Sequence, residues 1–242
     1  MKPSASNRLT QSLLCAGIAA GPLYLLTGLT QALTREGFDL RRHALSLLSN
    51  GDLGWIQIAN FLVSGLSVIV GAAGVRRVLK GESGGTWGPL LLGVYGLGLI
   101  GAGIFVADPG RGFPPGAPMG STSMSLNGLL HFVFGGLGFY GLIAACFVFA
   151  RRFLKLRRMG WAVYSVLTGV LFFAAFAAIA SGSTSTAILL GFYVAIAWIW
   201  LWHSTVLWQL LHDFRKGKLE LIKLRDEKHS VGPNSQYAAK LP

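Results

Sequence analysis

Six stretches of this chain are too long and too apolar for a water-soluble fold. They run from about Ser12 to Leu33, Gly54 to Val75, Gly88 to Ala107, Asn127 to Ala150, Trp161 to Ala180 and Ala187 to Leu210. Each supplies about the 20 apolar residues that a hydrocarbon core roughly 30 Å thick asks of a helix. Lipid offers no partner for a bare backbone amide, so such segments are helical. The expected fold is an all-α, polytopic integral membrane protein, a bundle of six transmembrane helices. Residues 1–11 form a short tail, 12–210 the membrane domain, and 211–242 a basic tail. That tail reads as a juxtamembrane helix fading into largely disordered chain, because it turns polar around Gly232 and Pro233.

The charges sort onto two sides. With the N-terminus inside, 17 of the 21 Lys and Arg fall on inner segments, and only Arg35, Arg41, Arg42 and Arg111 fall outside. That asymmetry predicts both termini in the cytoplasm, by the positive-inside rule. It also reassigns the formal net charge of +12 to topology and to attraction for anionic lipid headgroups. Nucleic acid is not an expected partner, since no aromatic-interleaved basic fold accompanies the charge. A hydrophobic fraction of 52% with 12% charged residues leaves little polar surface for a separate soluble domain. Cys15 and Cys146 both lie in apolar runs and read as buried, inert thiols.

Two outer connections, Thr34 to Leu53 and Asp108 to Leu126, are long for a compact bundle, which is where function concentrates. In the first, Leu40, Ala44, Leu47 and Leu48 alternate with Asp39, His43, Ser46 and Asn50 at helical spacing. The spacing predicts a short amphipathic helix at the membrane interface. The second opens with Asp108-Pro109-Gly110-Arg111-Gly112-Phe113-Pro114-Pro115-Gly116, which cannot be helical and reads as a flap. Small-xxx-small pairs such as Gly17/Gly21, Ser67/Gly71, Gly98/Ala102, Gly141/Ala145 and Ser165/Gly169 predict close helix approach within the bundle, or contacts in a homo-oligomer.

Polar side chains inside the spans gather in the outer half: Tyr24, Thr27 and Gln31, then Gln57, Asn60 and Ser64, then Asp108, His131 and Tyr193. Buried polar groups need partners or a wet cavity, so one reading is helix-to-helix hydrogen bonding. The reading favoured for the set as a whole is an outward-facing polar pocket, with Arg42, His43, Ser46, Asn60, Asp108, Arg111 and His131 as its ligand-binding residues. Its expected ligand is a lipid headgroup or a small polar molecule, held by the arginines through forked hydrogen bonds.

At these same residues the chain resembles a known family. His43-Ala44-Leu45-Ser46 after the first span, Phe105-Val106-Ala107-Asp108-Pro109 closing the third and His131 opening the fourth are similar to the prokaryotic membrane family called domain of unknown function 998. The likeness covers roughly Leu13 to Leu210. It implies a six-helix, multi-pass protein of the cytoplasmic membrane without an assigned activity, and it carries over no catalytic residue.

Two other functions compete with binding. His43, Asp108 and His131 form a ligand set that zinc accepts, and a zinc-bound water could hydrolyse a lipid of the outer leaflet. No HxxxH or HExxH spacing supports that set, and the favoured reading needs no cofactor and no catalysis. An Asp39-His43-Ser46 triad is disfavoured, because nucleophile, base and orienter normally converge from separate elements. A small-molecule transporter would use Asp108 and His131 as a proton-linked pair, but no inverted repeat is visible. His203, set among Trp198, Trp200, Trp202 and Trp208, is expected to hydrogen-bond within the inner packing, with a cofactor role as the alternative.

Overall fold

The computed structural model describes residues 4–120 and 123–230. Six helices, α1 (Ala5–Thr34), α2 (Gly54–Val78), α3 (Trp87–Ile104), α4 (Leu126–Lys155), α5 (Met159–Ala180) and α6 (Thr186–Ser230), account for most of them. All six are long and apolar enough to cross a membrane, and no strand occurs among the described residues. The molecule is built as a multi-pass membrane protein.

The helices close a ring in chain order, each packed on the next and α6 returning to α1. The long connections 35–53 and 105–125 share one end, the loop end. Arg76, Arg77, Arg152 and Arg158 mark the other, the basic end. There Arg77 ties α2 to Ser6 and Thr10 of α1, and the Arg158 guanidinium grips Asp213 of α6 with both terminal nitrogens at 2.6 and 3.2 Å.

Glycine sets how closely the ring draws together. A methyl group on Gly17 would stand 2.7 Å from the Gly71 Cα, and one on Gly98 would stand 2.6 Å from the Gly138 Cα. Backbone thus meets backbone at the α1/α2 and α3/α4 crossings, as small-residue interfaces permit. These glycine faces turn toward neighbours in the same chain.

Helix ends follow local chemistry. Ser4 caps α1 by accepting from the Asn7 amide at 3.3 Å, which starts the helix seven residues ahead of the expected Ser12. Ser125 caps α4 by accepting from the Gly128 amide at 3.0 Å. At the far end α6 continues to Ser230, through the first part of the tail expected to be largely disordered, while residues 231–242 lie outside the described residues. Cys146 is buried as expected, but Cys15 is exposed on the outside of the ring.

The interfacial helix is corrected. Residues 39–42 form a turn, Ala44 is extended, and only Leu45–Ser49 coil, as a five-residue 3₁₀ turn. The expected polar face is split instead: His43 and Asn50 are buried, while Asp39 and Ser46 stay partly exposed. The reason is long-range. Arg35 draws the carbonyls of Leu48 and Asn50 onto its guanidinium at 2.6 and 2.7 Å, and a regular helix over this stretch would turn carbonyls into its own hydrogen-bond ladder.

Candidate functional site

Toward the loop end the polar residues fall into three groups, and the third borders a cavity inside the ring. The first sews α1 to α2. Gln31 Nε2 donates to Gln57 Oε1 at 2.9 Å, Asn60 Nδ2 donates to the Tyr24 carbonyl at 3.1 Å, and Ser64 Oγ donates to Asn60 Oδ1 at 3.3 Å. Asn60 is therefore committed to helix pairing and lies outside the site. Gln31 Oε1 and Gln57 Nε2 stay sealed off without partners.

The second group builds a cap over the loop end. The Asp39 amide donates to His43 Nδ1 at 2.9 Å, so that nitrogen is the bare one, and Nε2 donates to the Arg111 carbonyl at 2.9 Å. Both ring nitrogens are spent. Tyr193 of α6 donates to the His43 carbonyl, Arg111 donates to the Arg42 carbonyl at 3.2 Å, and Asn50 Nδ2 donates to the Ala107 carbonyl at 3.0 Å. Phe38, His43 and Phe113 pack ring on ring, and the Arg35 guanidinium lies 5.1 Å from the Phe113 centroid. A donor from the Arg41 amide, with Arg42 beside it, holds the exposed Asp39 carboxyl below its usual range. The two long connections are thereby one knitted layer.

Asp108 anchors that layer to α4. Its carboxylate accepts from the Ser125 amide at 2.8 Å and from the Ser125 hydroxyl, fixing the residue that caps the helix.

The third group borders a cavity of about 200 Å³ at the loop end of the ring. Its roof is Ala44, Leu45 and Ser46, its floor includes Tyr24 and Tyr95, and its walls are mostly carbon, from Phe61, Leu99, Phe139, Phe176, Phe192 and Ile196. The expected polar pocket is thus corrected to an apolar one carrying isolated polar atoms. His131 Nδ1 is shared by the carbonyls of Ala102 and Phe105 at 2.9 and 2.8 Å. Carbonyls only accept, so Nδ1 carries the proton, and Nε2 keeps a lone pair with no partner among the described residues. Phe132 is 49% exposed and Ala180 is exposed, while both line the cavity, which places its mouth between the loop ends of α4 and α5. Gly135 and Gly136 leave that mouth unobstructed.

Of the seven residues singled out in the sequence, Ser46 and His131 line the cavity. Arg42, His43 and Arg111 belong to the cap above it, Asp108 to the α4 cap, and Asn60 to the α1/α2 seam. His43, Asp108 and His131 are not brought together, and no group of three or more His, Cys, Asp or Glu able to hold a metal ion occurs among the described residues. Tyr95, Phe139, Phe176, Phe192 and Gly135 were missed. Aromatic and glycine residues within an apolar run read as lipid-facing or packing positions, and only the Gly135-Gly136 pair hinted at a gap.

His203 also departs from expectation. It is fully buried, stands edge-on to Trp200 with centroids 5.6 Å apart, and neither ring nitrogen has a partner. The neighbouring Trp198 and Trp202 do find partners, in Thr168 and Ser165, at 3.0 Å each. Leaving an imidazole donor and acceptor unpaired costs stability. His203→Leu should therefore hold or raise the thermal midpoint in detergent, with a gain of about 1 kcal/mol. A clear drop instead would mean that the imidazole has a partner in the membrane.

Residues 18–209 match the model of a family described as "Protein of unknown function (DUF998)". No curated protein and no solved structure matches the chain.

Proposed function

Because the chain belongs to the DUF998 family, whose description assigns no activity, we propose from its geometry that it is a lipid-binding protein taking an amphiphile sideways from the bilayer. In this reading both termini face the cytoplasm, as the bias of 17 basic residues to 4 supports. The loop end then lies in the outer leaflet, and the mouth between α4 and α5 opens onto lipid rather than onto water.

One observation carries the proposal: an apolar-walled cavity whose exposed lining, Phe132 and Ala180, sits on the outer surface of the ring. A small polar solute would have to pass a cap that is closed by hydrogen bonds from Arg35, His43, Asn50 and Arg111. A hydrocarbon would meet Phe132 and Ala180, side chains of its own kind, at the mouth. Apolar surfaces in a ligand pocket supply affinity, and the few convergent polar atoms supply orientation.

Gly135→Leu tests it. A Cβ at Gly135 meets nothing within 4 Å, so a larger side chain fits without displacing backbone and fills the mouth. Native mass spectrometry of protein released from nanodiscs should show lipid occupancy falling about tenfold, the equivalent of roughly 1.4 kcal/mol. Gly93→Leu on α3, also in open space but away from the cavity, should leave occupancy unchanged. Equal occupancy in both variants would end the proposal.

A further inference from the structure

The floor of the cavity holds two polar groups that a plain hydrocarbon tail would leave unsatisfied. Tyr24 and Tyr95 are 5% and 2% exposed, and both line the cavity. Their rings pack against Trp200 from two helices, at 5.1 and 5.3 Å between centroids, which fixes both side chains in place. Neither hydroxyl has a hydrogen-bond partner among the described residues. Unlike the amide atoms of Gln31 and Gln57, neither is sealed off, so both remain addressable from the cavity.

Depth narrows the occupant. Tyr95 stands midway along the 18-residue α3, and therefore near the middle of the hydrocarbon thickness. A polar group at that depth is costly unless something pairs with it. A phospholipid or fatty acid keeps its polar end at the interface, and the tail it sends inward ends in a methyl group. An isoprenoid quinone differs: its uncharged ring carries two oxygens on opposite edges, and its long tail is free to trail behind.

Resting on the sideways uptake described above, we propose that the occupant is an isoprenoid quinone or quinol, bound ring first, with its tail leaving between α4 and α5. The Tyr24 and Tyr95 hydroxyls donate to a ring oxygen at the floor. Phe139, whose ring meets those of Phe176 and Phe192 edge-on at 5.1 and 6.0 Å, offers an aromatic wall of the kind on which a flat ring packs. Nearer the mouth, the bare Nε2 of His131 accepts from the hydroxyl of a quinol.

Ubiquinone-2 in phosphatidylcholine nanodiscs is a suitable probe, with palmitic acid as the comparison lipid and the occupancy of each read by native mass spectrometry of the released protein. Tyr24→Phe/Tyr95→Phe keeps both rings on Trp200 and removes only the hydroxyls. Ubiquinone-2 should bind about tenfold more weakly to this variant, palmitic acid should bind it as before, and its thermal midpoint should not fall. Unchanged ubiquinone-2 affinity in the double variant overturns the quinone assignment. So does a wild type that takes palmitic acid but not ubiquinone-2, an outcome that leaves sideways lipid uptake standing. If Gly135→Leu alters the occupancy of neither ligand, uptake between α4 and α5 fails, and the quinone assignment fails with it.

Discussion

Gly98→Ala is expected to destabilise the protein by about 3 kcal/mol or more, at the upper end of what overpacking one methyl group costs. The added carbon would lie 2.6 Å from the Gly138 Cα and 2.7 Å from the Phe134 carbonyl oxygen, both backbone atoms that cannot rotate aside. Relief requires α3 and α4 to separate along a crossing that forms one wall of the cavity. Gly93→Ala on the same helix provides the contrast. Nothing stands within 4 Å of that position, and replacing a mid-helix glycine by alanine gains about 0.5 to 1 kcal/mol. Thermal unfolding in detergent should therefore move in opposite directions for two identical substitutions five residues apart. Similar shifts for both would mean that the α3/α4 approach is looser than described.

Arg35→Met should open the cap. The guanidinium donates to the Leu48 and Asn50 carbonyls at 2.6 and 2.7 Å and lies over Phe113, joining the connection before α2 to the connection before α4. Burial lowers the Arg35 pKa, and the Asp52 carboxylate opposes that shift, so the group stays cationic while half-buried. Hydrogen bonds to a charged donor contribute about 1.5 to 3 kcal/mol each. Losing both should cost the cap about 3 to 5 kcal/mol, less whatever water returns to the freed carbonyls. Trypsin should then cut at Arg41, Arg42 or Arg111 many times faster than in wild type, and backbone amides of residues 39–54 should exchange sooner. Arg35→Lys should recover only part of the protection, because one ammonium lacks the planar fork that spans two carbonyls. Wild-type protease resistance in Arg35→Met would show that the cap is held by its aromatic packing alone.

How much of this could be read in advance depended on how local each signal was. Six apolar runs of sufficient length are statements about consecutive residues; five lie within a helix, and the third, Gly88 to Ala107, overruns the end of α3 at Ile104 by three residues. The motif residues His43, Asp108 and His131 were conspicuous for a sound reason, since each has a defined hydrogen-bonding task. Their tasks are nevertheless separate: His43 fills both ring nitrogens within the cap, Asp108 holds Ser125, and only His131 keeps a nitrogen toward the cavity. Spacing along a chain cannot distinguish a polar residue that faces a void from one that faces a neighbour's carbonyl. The same limit misassigned residues 39–50, whose helical periodicity was real but outweighed by Arg35 at the end of α1 and Arg111 in the second connection.

Composition and order along the chain decided that this protein is helical, that it has six helices long and apolar enough to cross a membrane, and that its positive charge divides unequally between the two ends. Those properties follow from the cost of exposing backbone amides and charges to hydrocarbon, which each segment meets on its own. Only the tertiary structure decided that the ring closes from α6 back to α1, that most buried polar groups satisfy one another, and that the remaining space is an apolar cavity watched by Tyr24, Tyr95 and His131. A cavity is what several helices together fail to fill, so its shape and its unpaired atoms depend on packing between residues as distant in the chain as Tyr24 and Trp200.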